Sequence, residues 1–145
     1  MRKPLLITAV SVLIALAAAC SKAPVEEATS VAAAGAASVS VSLADDQVAL
    51  EPASVPAGQV SFAASNAGTM THEIEVFEGD AAPESLPISS GVADTTGWTL
   101  VDEIEDITPG SSADLAVELA PGTYQVVCNL PGHFEKGMHA TLTVT

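Results

Sequence analysis

A single antiparallel β-sandwich is the fold class the sequence predicts, on three observations. Apolar residues alternate with period two over Val39-Ser-Val-Ser-Leu43 and Leu115-Ala-Val-Glu-Leu119, the pattern of strands with one buried face. Turn punctuation at Pro56-Ala-Gly58, Asn66-Ala-Gly68, Pro109-Gly110 and Pro121-Gly122 cuts the chain from Ser38 onward into short runs. No helical stripe accompanies them, so the runs must bury their apolar faces against one another.

Taken in order, the chain opens on an export signal. Arg2 and Lys3 precede an apolar stretch from Leu5 to Ala19 that is too short to cross a bilayer as a helix. Cys20 follows Ala17-Ala18-Ala19 and resembles a bacterial lipoprotein cleavage site, with Leu16 one place earlier than the usual Leu. Residues 1–20 are therefore read as a signal peptide cleaved before Cys20, which becomes the lipidated terminus. Ordinary secretory cleavage after one of the alanines is the competing reading. Residues 21–37, rich in Ala, Ser and Glu, read as a flexible tether with a reach of roughly 60 Å fully extended. A swinging leash and a plain spacer fit that composition equally. Residues 38–145 form the folded domain. Besides the two alternating runs, strands are predicted at Gln59–Ala63, Ile74–Phe77, Tyr124–Val127 and Thr141–Val144. Asp80 to Trp98, rich in Pro, Gly, Ser and Thr, is left as an unassigned excursion.

The chemistry concentrates near the end, in Cys128-Asn-Leu-Pro-Gly-His133-Phe-Glu-Lys-Gly-Met138. A thiolate and a thioether are soft ligands and imidazole is borderline, which suits a metal cycling between Cu(I) and Cu(II). A trigonal site of two His and one Cys with a long axial Met needs a second His, and His72 in Met-Thr-His-Glu-Ile-Glu-Val is the candidate. Singly, His72 reads as a polar strand residue, Met138 as packing and Cys128 as a small buried hydrophobe. Zinc, the main competitor, seldom takes Met. With Cys20 at the signal boundary, Cys128 has no partner for a disulfide, and a lone thiol in an oxidising compartment survives by burial or by binding metal.

These residues resemble the copper-binding loop of the cupredoxins, the small blue-copper electron carriers. The spacing is most similar to the auracyanin, sulfocyanin and rusticyanin branch. Over Ser38 to Thr145 the resemblance implies a Greek-key sandwich, the cupredoxin fold, with one copper per chain held by His72, Cys128, His133 and Met138. It implies a mononuclear carrier of single electrons in the cell envelope and not an enzyme. Asn66, Glu73 and Asn129 fall around the ligands. Either Asn66 or a backbone N–H beside His72 or Cys128 is expected to bond the thiolate and tune the potential. Glu73 stands where many relatives carry Asn or Ser; it either favours Cu(II) or, the preferred reading, faces solvent. Pro131 and Gly132 suit a tight ligand loop, and Gly137 lets the chain turn before Met138. The edge of His133 is the expected electron port, collared by Leu130, Pro131 and Phe134. Met138 is preferred to Met70 as the axial ligand, and His139 is expected to face away from the metal. Gly132 occupies the place of the second Cys of a binuclear copper site, and Val127 the place of the His that catalytic copper proteins put before the Cys. The alternative from another class is an envelope protein that binds, stores or delivers copper. Such proteins tend to be rich in Met and His, and this chain has three of each.

Charge is the second strong signal. Eighteen acids face four bases, and loss of Arg2 and Lys3 leaves only Lys22 and Lys136, for a formal charge of −16. Nucleic acid is excluded as a partner by repulsion, and membrane contact is expected through the lipid anchor alone. The expected partner is a redox protein with a basic docking surface, a cytochrome or an oxidoreductase subunit, met by a monomer of this chain. Asp102-Glu-Ile-Glu-Asp106 is the densest cluster, read as a docking patch or as a solvated strand face. Its spacing is not that of a calcium loop.

Overall fold

The computed structural model describes residues 36–145; the predicted signal, Cys20 and nearly all of the predicted tether lie outside them. The described chain forms β1 (Ala37–Ala44), β2 (Gln47–Glu51), β3 (Ser54–Val55), β4 (Gly58–Asn66), β5 (His72–Glu78), β6 (Ile88–Ser89), β7 (Val92–Ala93), β8 (Thr99–Ile107), β9 (Ser112–Leu119), β10 (Gly122–Val127) and β11 (His139–Val144). One sheet has the order β2-β1-β4-β9 and the other β3-β11-β10-β5-β8, with β6 and β7 as a separate ribbon. This is the predicted sandwich. Within it β1 pairs parallel with β4, and β3 with β11, while the remaining pairs are antiparallel.

The period-two runs become strands because each supplies one row to the core. Val39, Val41 and Leu43 on β1 are buried, and Ser40 and Ser42 between them are exposed. Val60, Phe62 and Ala64 on β4 meet Ile74 and Val76 on β5, Tyr124 and Val126 on β10, and Leu142 and Val144 on β11. Full burial of a side chain the size of Phe62 stabilises by about 1.5–3 kcal/mol. Among the described residues no helix is long and apolar enough to cross a membrane.

Strand β10 is buried on both faces, Gln125 and Val127 as well as Tyr124 and Val126. Its outer face is covered by the excursion after β5. Phe77, Ala93, Trp98, Val127 and Phe134 form a second apolar cluster there, with the Phe77 and Trp98 rings 5.7 Å apart. The stretch without a clear sequence pattern is thus a cover layer, and its strands β6 and β7, of two residues each, are too short to show alternation. The acidic run lies on β8, an edge strand, where Asp102, Glu103, Glu105 and Asp106 are exposed. Charges on an edge discourage pairing with a further strand.

Candidate metal centre

His72 opens β5, Cys128 immediately follows β10, and Met138 immediately precedes β11, so adjacent strands of one sheet deliver the donors to one end of the sandwich. The cross-strand register makes this unavoidable: Val127 pairs with both Glu75 and His139. Cys128 N–H donates to Met138 O at 2.9 Å, which closes the loop at its base. Inside it, His133 precedes a 3₁₀ turn over Phe134–Lys136, and Gly132 and Gly137 hold φ of +83° and +106°.

The polar tips converge. His72 Nδ1 lies 3.1 Å from His133 Nδ1, and Cys128 Sγ lies 3.3 Å from His133 Nδ1 and 3.9 Å from His72 Nδ1. Such separations are those of donors that share one small ion through bonds of about 2.0–2.3 Å. Cys128, His72 and Met138 are fully buried, and His133 is 8% exposed. Among the described residues, His72, Cys128 and His133 are the one group of three or more His, Cys, Asp and Glu placed to hold a metal. Two imidazoles and a thiol, closed by a buried thioether, fit copper in chemistry and in geometry. The four side chains are arranged as a copper site.

Burial pushes the Cys128 thiol up, and the backbone N–H groups of Glu73 and Leu130, aimed at the sulfur, oppose that shift. Glu73 adjoins His72 and Leu130 lies two residues beyond Cys128; a backbone N–H beside His72 or Cys128 is one of the two donors the sequence offers. The other, Asn66, spends its amide elsewhere. Its Nδ2 donates to Met70 O at 2.8 Å and Ile107 O at 2.7 Å, and its Oδ1 accepts from Gly68 N–H at 2.8 Å. Asn66 therefore shapes the turn that carries His72. Burial lowers the His133 pKa, which favours the neutral imidazole a metal requires.

Glu73 does not face open solvent. It is half-buried, its Oε1 accepts the Asn129 N–H at 3.1 Å, and burial raises its pKa. The Asn129 side chain reaches the other way, its Oδ1 taking Ala93 N–H at 2.8 Å and its Nδ2 donating to Ala93 O at 3.2 Å. Gly132 N–H donates to Gly91 O at 2.8 Å. The β6–β7 ribbon thus braces the ligand loop at two points, and a Cβ at Gly91 would come within 2.7 Å of Gly132 N. Leu130 is half-buried and Pro131 exposed. Phe134 departs from the expectation. It is 3% exposed and packs with Val127, Ala93 and Trp98, because the cover layer closes over the outer face of β10. It belongs to the core beneath the loop and not to a docking surface. His139 stacks against Phe134 at 4.9 Å, on the outer side, with Nδ1 4.0 Å from Glu84 Oε1. Met70 is half-buried, and its backbone is held by Asn66 and Asp45.

Asp45, in the β1–β2 turn, escaped the sequence reading. Its Oδ1 lies 3.3 Å from His72 Nε2, and it also accepts bonds from Thr69 Oγ1 and N at 2.7 Å each and from Met70 N at 3.1 Å. The bonds from Thr69 hold its pKa at about 2. No motif links positions 45 and 72; two acids in a hairpin turn read as ordinary turn residues.

A family model described as "Cupredoxin-like domain" matches residues 7–144. Comparison with curated proteins gave no match. Among solved structures, a dithionite-reduced auracyanin from the photosynthetic bacterium Roseiflexus castenholzii is similar at 24% identity and TM-score 0.57, over 77% of this chain and 99% of that one. Auracyanin B is similar at 26% identity and TM-score 0.53, over 76% and 89%. A reduced rusticyanin is similar at 20% identity and TM-score 0.54, over 74% and 79%.

Proposed function

The chain belongs to the cupredoxin-like family, and from that premise we propose that it is a mononuclear blue-copper protein that carries single electrons between larger redox proteins. The convergence of His72 Nδ1, His133 Nδ1 and Cys128 Sγ in a buried site closed by Met138 carries this reading. Bound there, copper supplies a one-electron change between Cu(I) and Cu(II).

The residues do the rest. Cu(I) and Cu(II) prefer different geometries, so a site that rearranges at each transfer is slow. Here the hydrogen bonds that tie Gly132 to Gly91, Asn129 to Ala93 and Cys128 to Met138 oppose rearrangement. Burial of Cys128 excludes water and oxidants from the thiolate. The slightly exposed edge of His133, between Leu130 and Pro131, is the port through which the electron passes. A small dry patch of this kind favours brief docking.

The acidic surface, with Asp102, Glu103, Glu105 and Asp106 exposed on β8, favours a partner with a basic docking face, a cytochrome or an oxidoreductase subunit. Such attraction raises association rates by roughly 10 to 1,000-fold at low salt. The carrier acts as a monomer in the periplasm or cell envelope, exported by its N-terminal signal and held to a membrane by a lipid on Cys20.

The test is to add Cu(II) to the purified protein and record visible and electron paramagnetic resonance spectra. An intense thiolate-to-copper band with narrow hyperfine splitting, lost in Cys128→Ser and retained against mild chelators, is expected. A pale complex, or ready surrender of the metal, would turn the assignment toward copper storage or delivery.

A further inference from the structure

His72 meets the metal site with one ring nitrogen and a carboxylate with the other. Its Nδ1 faces His133 and Cys128, and its Nε2 lies 3.3 Å from Asp45 Oδ1. An ionised carboxylate only accepts, so the proton of a neutral His72 must sit on Nε2, which leaves the Nδ1 lone pair free for the metal. The carboxylate is itself pinned: Thr69 donates to both of its oxygens, and Met70 N–H to Oδ1. The contact is also built for closeness at a third residue. A Cβ at Gly68 would collide with Asp45 Oδ1 and stand 2.9 Å from His72 Nε2, so any side chain there would wedge the pair apart.

We propose that Asp45 is a positioning residue for the copper site: it fixes the Nε2–H form of His72, and its fixed negative charge favours Cu(II) over Cu(I). The inference rests on the blue-copper reading. A carboxylate behind a ligating imidazole raises the basicity of the donor nitrogen, and removal of such a partner typically costs 10 to 100-fold in metal affinity. Extra donor strength and a nearby negative charge stabilise the more positive oxidation state more, so both act to lower the reduction potential. Asn66 and the Glu73 and Leu130 N–H groups act on the His72 turn and on the sulfur; Asp45 shares in holding that turn through Thr69 and Met70, and it alone of these meets the imidazole.

Three substitutions in the full chain separate charge from geometry. Asp45→Asn keeps an acceptor of the same shape and loses the charge, Asp45→Ala loses both, and Asp45→Glu restores the charge on a longer arm. The readouts are the reduction potential, loss of copper to a chelator, and the His72 tautomer by long-range ¹H–¹⁵N spectroscopy of the copper-free protein. For Asp45→Asn, we expect an unchanged Nε2–H tautomer and a higher potential, a tenfold loss of Cu(II) preference being about 59 mV. For Asp45→Ala, a mixed tautomer and 10 to 100-fold easier copper loss are expected, and Asp45→Glu should recover much of the potential. An unchanged potential in Asp45→Asn and Asp45→Ala, with the blue band intact, would overturn the role of Asp45 and leave the blue-copper assignment standing. A wild-type His72 protonated on Nδ1 would overturn it as well. Absence of the blue band from the wild type would instead fail the assignment on which the inference rests.

Discussion

Replacing Gly91 by alanine tests whether the cover layer holds the ligand loop. Gly91 has φ of +80°, a conformation that costs an L residue about 1–2 kcal/mol. The new Cβ would also come within 2.7 Å of Gly132 N, and a backbone atom cannot swing aside as a side-chain tip can. Relief of that clash breaks the 2.8 Å bond from Gly132 N–H to Gly91 O, at a net cost of about 1 kcal/mol. Together these give a loss of about 2–3 kcal/mol, or roughly 10–15 °C in melting temperature for a domain of this size. Gly132 lies between Cys128 and His133, so the loop movement should also alter the copper spectrum. Gly110→Ala is the control, since Gly110 has φ of +76° and open space around its would-be Cβ. It should lose stability through strain alone and leave the spectrum untouched. Melting and paramagnetic resonance of both copper-loaded variants decide the matter. If Gly91→Ala kept the wild-type spectrum and lost no more stability than Gly110→Ala, the bracing argument would be wrong.

Two further outcomes follow from burial. Phe134→Ala should cost about 3–5 kcal/mol in denaturant unfolding, the usual figure for a buried Phe, because the ring fills the cluster beneath the loop; a loss under about 1 kcal/mol would return Phe134 to the surface collar. Glu75 is half-buried on β5 with Oε2 unpartnered. Burial first, and then the charges of Glu73, Glu103 and Glu105, push its pKa up to about 7 from the usual 4.5. The folded protein therefore holds this proton more tightly than the unfolded chain does. The resulting stability is present below about pH 4.5 and is lost as pH rises through about 7. Melting of the copper-free protein at pH 5 and pH 8 should fall more steeply in the wild type than in Glu75→Gln; parallel curves would refute the assignment.

Much of the sandwich is legible in the sequence because one-sided burial writes itself as alternation, as in Val39, Val41 and Leu43. The ligand loop is legible for another reason: three donors of uncommon type stand close together in one segment. Where a strand is buried on both faces, as at Gln125 to Val127, or only two residues long, as β6 and β7 are, the period disappears. Asp45, Gly68 and Gly91 matter through contacts between separate turns, and such contacts leave no local pattern. Phe134 misleads because its neighbours Pro131 and Glu135 are exposed; its own burial depends on Ala93 and Trp98, far away in the chain. Glu73 misleads likewise, since the Asn129 N–H that receives its carboxylate lies 56 residues downstream.

The uneven spacing of the donors bears on how the protein is assembled. Cys128 and His133 are five residues apart, whereas His72 and Cys128 are separated by 56. In a disordered chain, closing the longer loop costs about 2 kcal/mol more than closing the shorter one. The segment from Cys128 to Met138 can therefore chelate before the sandwich exists, and the denatured chain competes for the same ion. Whatever binds the unfolded chain subtracts from the stabilisation that a ligand confers on the folded one. Copper then stabilises this fold by less than its affinity for the finished site implies. A chain that meets the metal early refolds around a loop already closed on it, and the docking of His72 completes the coordination.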